Sequence, residues 1–352
     1  MEKMANTSQR EENDLEMNSP EEQAEMQDIT SPQEMEHVDH IPCQVEKHLD
    51  FITFNKHGHL LMGSSSLTGR YWGGSLWYYE TASLAPDVEK CTSGHEITSG
   101  LADGVYLDDE TSIMIGQDTG TVEFLTIAKT ETGTHLRSVC QLDEHLDVVH
   151  CVKVTCNRKN ALTASADMSI RLWDSEGYRV VRLFSVAHSQ PVTSVAPHPS
   201  NDQIFLSTGM DGNVLLWDLR CLRPASCVYR DWDSKPESVV WTPGPGMDNY
   251  VVGTQNGALL LRSTGNLNES LFSLNGFERP IFRMCENPFR PNLIAVCADD
   301  SKVLVVDVQD TLKTKYEDDR HSDFVRGMAW KDTDTLVTCG WDKKVYFHFL
   351  SL

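Results

Sequence analysis

Between residues 148 and 185 the chain alternates short apolar, β-branched runs with polar turns. The runs at 148–154, 161–165, 170–173 and 180–185 are each long enough for one strand and too short for a helix. The next stretch repeats this pattern. Residues 145–174 and 188–218 match almost position for position. In the first copy His145 precedes Asp167 by 22 residues, and Trp173-Asp174 follow six and seven later. In the second, His188 precedes Asp211 by 23, and Trp217-Asp218 again follow at six and seven. A hydroxyl sits four residues before each aspartate, as Thr163 and Ser207. Such self-similarity at about 40–45 residues indicates an array of four-stranded units.

Weaker copies keep the same phase. His321, Thr338 and Asp342 recur near the C-terminus, with His348 in the tryptophan place. Residues 277–307 retain Asp300 and Asp307, with Val306 at the tryptophan position. Residues 232–263 keep the turn Asn256-Gly257, with Arg262 at that position, and residues 100–126 keep Thr119-Gly120. The earliest copy, 49–79, retains Gly74-Ser75-Leu76-Trp77. The count is seven.

This signature resembles the WD-repeat family, which implies an all-β, seven-bladed propeller. In that geometry the tetrads His145–Thr163–Asp167–Trp173 and His188–Ser207–Asp211–Trp217 are internal struts. The Asp sits in a tight turn and accepts from the His, the His bonds the hydroxyl, and the hydroxyl receives the indole N–H. Asp211-Gly212 suits such a turn because glycine tolerates positive φ. A His, a Ser and an Asp in one repeat mimic a catalytic triad, but recurrence favours scaffolding over a unique active site. After the third strand of the last copy only Leu350, Ser351 and Leu352 remain, so residues 41–48 are expected to supply the outer strand of the last blade.

Composition adds a tail. Residues 1–40 hold twelve acidic against two basic residues and no aromatic, which predicts a disordered acidic segment ahead of a propeller at 41–352. Ser19-Pro20 and Ser31-Pro32 fit proline-directed phosphorylation. The net charge of −22 argues against direct nucleic-acid binding, since phosphates demand clustered Lys and Arg. It suits basic protein partners, and it equally suits plain solubility. The ten cysteines form no CxxC pair, and neither a signal peptide nor an apolar run near 18 residues is evident. The expectation is a soluble, intracellular protein with reduced thiols and no membrane contact. His57-Gly58-His59 lacks a third metal ligand, and no phosphate-cradling loop or HExxH motif occurs. No cofactor, metal or catalytic residue is expected.

The first copy departs from the pattern. Gly63-Ser64-Ser65-Ser66-Leu67-Thr68-Gly69-Arg70-Tyr71-Trp72-Gly73-Gly74-Ser75-Leu76-Trp77 has some eight to ten residues where the other copies have a two-residue turn. A long loop is expected there, with Arg70, Tyr71 and Trp72 near its tip. These residue types are the ones most enriched at binding hot spots. The alternative is that Trp72 folds back onto its own blade.

That segment resembles the family of methylosome protein 50, WD-repeat companions of the symmetric-dimethylating, type II protein arginine methyltransferase. Further resemblance lies in Trp217-Asp218-Leu219-Arg220-Cys221, Pro224-Ala225-Ser226, His321-Ser322-Asp323-Phe324-Val325-Arg326 and Gly340-Trp341-Asp342, and the likeness covers about residues 45–350. The resemblance implies a non-catalytic adaptor in a hetero-oligomer. It would bind the methyltransferase through Trp72, flanked by Arg70 and Tyr71, and help present Arg-rich substrates such as histone tails and Sm proteins. The acidic tail and residues 232–263 lie outside the strong match. A rival reading comes from Trp217-Asp218-Leu219-Arg220, which fits the WDxR motif of cullin-4 ubiquitin-ligase substrate receptors.

Overall fold

The computed structural model describes residues 42, 44–68, 71–108, 110–242, 249–267, 269–309 and 311–351, without the side chains of 67, 68, 71 and 72. Of the expected tail, residues 1–40 lie outside this set.

Seven antiparallel sheets follow one another along the chain. Six have four strands in sequence order, and the seventh has three: Val325–Trp330, Thr335–Gly340 and Val345–Phe349. The first strand of each sheet touches the first strand of the next. Val325–Trp330 touches His48–Phe54, which closes the ring. The four strands of a blade are termed a to d from this inner edge outward. Because neighbours are antiparallel, every b–c turn lies on the same face of the ring as every d–a loop.

The strands form for the reasons the pattern suggests, but they are buried on both sides. Strand b of blade six, Leu293–Ala298, is wholly buried, whereas its strand d, Lys313–Asp318, is polar and largely exposed. Seven apolar clusters hold the ring, each between two adjacent blades. Successive residues of a strand serve opposite interfaces, as their alternating direction requires. Leu61 packs toward blade two, while Leu60 and Met62 pack toward blade seven. Turn glycines at Gly120, Gly212 and Gly257 have φ of 90°, 78° and 84°, where a Cβ would be strained.

The closure differs from expectation. Residues 44–47 form bends and coil rather than a fourth strand on blade seven, and His48 already belongs to strand a of blade one. Val45 instead buries its side chain in the cluster shared with Ala329, Val337 and Cys339. Closure rests on the inner strands. Gly327 lies so close to blade one that a Cβ there would stand 2.8 Å from the Ile52 nitrogen. The Trp341 indole donates to Asp50 at 3.2 Å across the seam.

Candidate functional site

Blades three and four place their tetrads as the spacing predicts. Thr163 Oγ1 stands 2.7 Å from His145 Nε2 and 2.8 Å from Trp173 Nε1, and His145 Nδ1 lies 2.9 Å from Asp167. In blade four Ser207 Oγ lies 2.7 Å from His188 and 2.8 Å from Trp217, with Asp211 at 3.0 Å. Donors align in one direction along each row: indole to hydroxyl, hydroxyl to imidazole, imidazole to carboxylate. Burial alone would raise the Asp167 and Asp211 carboxyls, but the bonds from His145 and His188 and neighbouring donors hold both well below the ordinary range. Trp173, Trp217 and both hydroxyls are closed off from solvent. No substrate reaches them, so they are struts.

Blade seven carries a third complete row in altered form. His321 bonds Asp342 at 3.0 Å and Thr338 at 2.8 Å, and Thr338 meets His348 Nε2 at 2.8 Å. Tyr316 and Arg320 both lie 3.1 Å from His348 Nδ1. In blade one, Trp77 donates to Ser75 at 2.7 Å. Arg262, in the tryptophan place of blade five, bonds Ser270 and the Leu267 carbonyl instead.

The first-blade insertion is an extended hairpin, which corrects the expected loop. Leu60–Thr68 and Tyr71–Tyr79 pair without interruption from Leu60↔Tyr79 to Thr68↔Tyr71. The extra residues continue the ladder because pairing satisfies backbone donors and acceptors that a loop would leave to water; residues 69 and 70 lie outside the described residues. Strand b here has nine residues, against six in the other described blades, so the hairpin overreaches its neighbours on the b–c face. Tyr71 and Trp72 belong to strand c, with Trp72 paired to Leu67, while their side chains and Arg70 lie outside the described residues. The hairpin base is rigid. Ser65 accepts from the Leu101 N–H at 2.8 Å, Ser64 meets Ser75 at 2.9 Å, and a Cβ on Gly74 would strike the Ser99 carbonyl at 2.7 Å.

Two features were missed from the sequence. Blade two has its own long hairpin, Thr121–Thr130 with Gly133–Asp143, at the opposite face, and Glu131-Thr132-Gly133 was its turn signal. The other is a ring of β-bulges. In every blade the a–b register slips by one residue near the start of strand a. The slipped residues are Asp50, Ala102, His150, Thr193, Glu237, Phe282 and Arg326, and all of them line the central channel. Asp103 and Arg283, from blades two and six, meet across this channel at 2.7 Å. That pair lines a cavity of about 520 Å³ that also takes in Lys153 and whose rim includes the b–c turn residues Met210, Gln255, Asp299 and Trp341. Burial pushes Asp50 up to about 7, against hydrogen bonds from Ser65 and Trp341.

The remaining candidates resolve simply. The Arg220 guanidinium is three-quarters exposed and grips its own neighbour Asp218 at 2.5 Å, holding that carboxyl down at about 2. His59 accepts from or donates to the Tyr78 hydroxyl at 2.6 Å, and no group of three metal-ligating side chains occurs among the described residues. The nine described cysteines are unpaired. No helix among the described residues is long and apolar enough to cross a membrane.

Comparison with known proteins agrees with this architecture. The family model "WD domain, G-beta repeat" matches residues 136–174, 180–218 and 312–348. The chain is 31% identical over 315 residues to the "Methylosome protein WDR77" of Xenopus laevis, covering 88% of this chain and 91% of that protein. It is 24% identical to "Protein valois" of Drosophila melanogaster over 318 residues, 85% of each chain. A chain of the structure "COPII on membranes, outer coat vertex" superposes with a TM-score of 0.73 at 17% identity, covering 86% of this chain and 84% of that one, which shows the propeller fold alone.

Proposed function

The chain belongs to the family of Methylosome protein WDR77, and from that premise we propose that it is a non-catalytic WD-repeat adaptor of a methylosome-type complex. Its partner in this reading is a type II protein arginine methyltransferase, met chiefly by the first-blade hairpin with Trp72, Tyr71 and Arg70. The observation that carries the reading is that hairpin. It is the one b–c hairpin whose strands run beyond their fellows among the described blades, and Tyr71 and Trp72 fall on its strand c. Its base is fixed by buried hydroxyl and backbone bonds, and a contact carried on a fixed base loses less entropy on docking.

The adaptor supplies no reacting group. It holds the methyltransferase and Arg-rich substrates, of the histone-tail and Sm class, in one assembly in the cytoplasm and nucleus. Raising the effective concentration of substrate is sufficient to accelerate turnover. Co-expression with the methyltransferase tests the contact. Truncating a buried tryptophan anchor typically costs about 2–4 kcal/mol, so Trp72→Ala is expected to reduce co-purification severely. Association of that variant at the wild-type level sinks the hairpin assignment.

A further inference from the structure

The geometry points to the upper chamber of the central channel as a receptor for one arginine side chain of a partner segment, entering from the b–c face. This inference goes beyond the adaptor reading and does not need it.

Three observations support a cationic, planar guest. First, the channel is bridged: Asp103 and Arg283 satisfy each other at 2.7 Å, and Asp103 also accepts from the Val152 N–H at 2.9 Å. A side chain entering from above meets this ion pair. Second, carboxylates outnumber cations along the lining. Asp50, Asp103, Glu237 and Asp299 share it with Arg283, Arg326 and Lys153, and the two guanidiniums are spent on Asp103 at 2.7 Å and Asp299 at 2.6 Å. No hydrogen bond or ion pair among the described residues engages the Glu237 carboxylate. Burial, with Asp299 beside it and Lys235 opposing, pushes that group up to about 7. Third, the neighbouring wall is aromatic. The Arg326 guanidinium lies 4.0 Å from the Phe282 ring and 4.7 Å from Trp341, so a guanidinium already stacks there. Phe282 keeps 38% of its surface open even so. Arginine suits this combination better than lysine, because its planar fork pairs with a carboxylate in two bonds while its face lies on an aromatic ring. The volume of about 520 Å³ accommodates one such side chain with water.

The full-length protein is titrated with a fluorescently labelled Gly-Arg peptide and with the same peptide carrying citrulline, which keeps the shape and removes the charge. Wild type is expected to bind the arginine peptide saturably and the citrulline peptide at least tenfold more weakly. Glu237→Gln, nearly isosteric, is expected to weaken binding tenfold or more, whereas Glu176→Gln, an equal loss of charge at an exposed turn, leaves it unchanged. Equal affinity for both peptides overturns the inference. So does wild-type binding by Glu237→Gln, an equal loss in Glu176→Gln, or no binding by wild type. If Glu237→Gln lowers the thermal midpoint, Phe282→Leu decides instead, and full binding by that variant is equally fatal. Glu237→Gln should still co-purify with the methyltransferase through the hairpin, which separates failure here from failure of the adaptor reading.

Discussion

Replacing His348 by glutamine tests whether the row in blade seven is built for a neutral ring. Tyr316 and Arg320 stand at Nδ1, and Arg320 can only donate, so Nδ1 accepts and Nε2–H faces the Thr338 hydroxyl. The imidazole thereby imitates the indole N–H of the other blades. A proton on Nδ1 would face that guanidinium in a site closed to solvent. Burial lowers the His348 pKa from its ordinary 6.5 to about 4, with Asp318 opposing and Arg320 assisting. A folded-state pKa below the unfolded value means the unfolded chain binds the extra proton. The contribution is therefore intact above pH 6.5 and lost as pH falls toward 4. With these two values the loss between pH 7 and pH 5 is about 2 kcal/mol. Urea unfolding at pH 7, 6 and 5 measures it, with His348→Gln subtracting every other titrating group. Wild type should lose about 2 kcal/mol more than the variant over that range. Parallel pH dependence in the two proteins, or a His348 ring resonance titrating near 6.5, refutes the reasoning.

Other changes probe struts, seam and rim. Asp211→Ala strands His188 without its acceptor in a buried row, and should cost about 2–3 kcal/mol in chemical denaturation. Gly327→Ala drives a methyl against the Phe51–Ile52 backbone at the ring closure, and is expected to destabilise by about 1–3 kcal/mol, read as a lowered thermal midpoint. Arg220→Ala removes an exposed group held only by Asp218, so stability should stay within about 0.5 kcal/mol. Unchanged methyltransferase association in that variant separates the adaptor reading from the WDxR one; capture of a cullin-4 adaptor that vanishes with Arg220→Ala would reverse the preference.

The tetrads were legible because each is a short-range pattern: four residues at fixed offsets, tied to two turns and one strand pair. Their hydrogen bonds fall on the residues the spacing selects. The first-blade departure was also legible, as an excess of residues between two phase marks. Its form was not. Whether eight to ten extra residues make a loop or a ladder depends on cross-strand pairing, and Leu67 opposite Trp72 becomes visible only in the register. The seam misled for a related reason. A count of missing strands called for residues 41–48 to fill an outer edge, yet inner-strand contacts and Asp50–Trp341 across the seam already close the ring.

What the sequence determined by itself was the repeat: seven units, their turns, the buried tryptophans and the blade that breaks step. Local spacing is enough for that, since every strut lies within one repeat. What only the tertiary structure decided was the channel. One bulge per blade turns Asp50, His150, Glu237, Phe282 and Arg326 toward a common axis, and Asp103 meets Arg283 from 180 positions away. No periodicity along the chain encodes that meeting, because it depends on how far the ring curves before it closes.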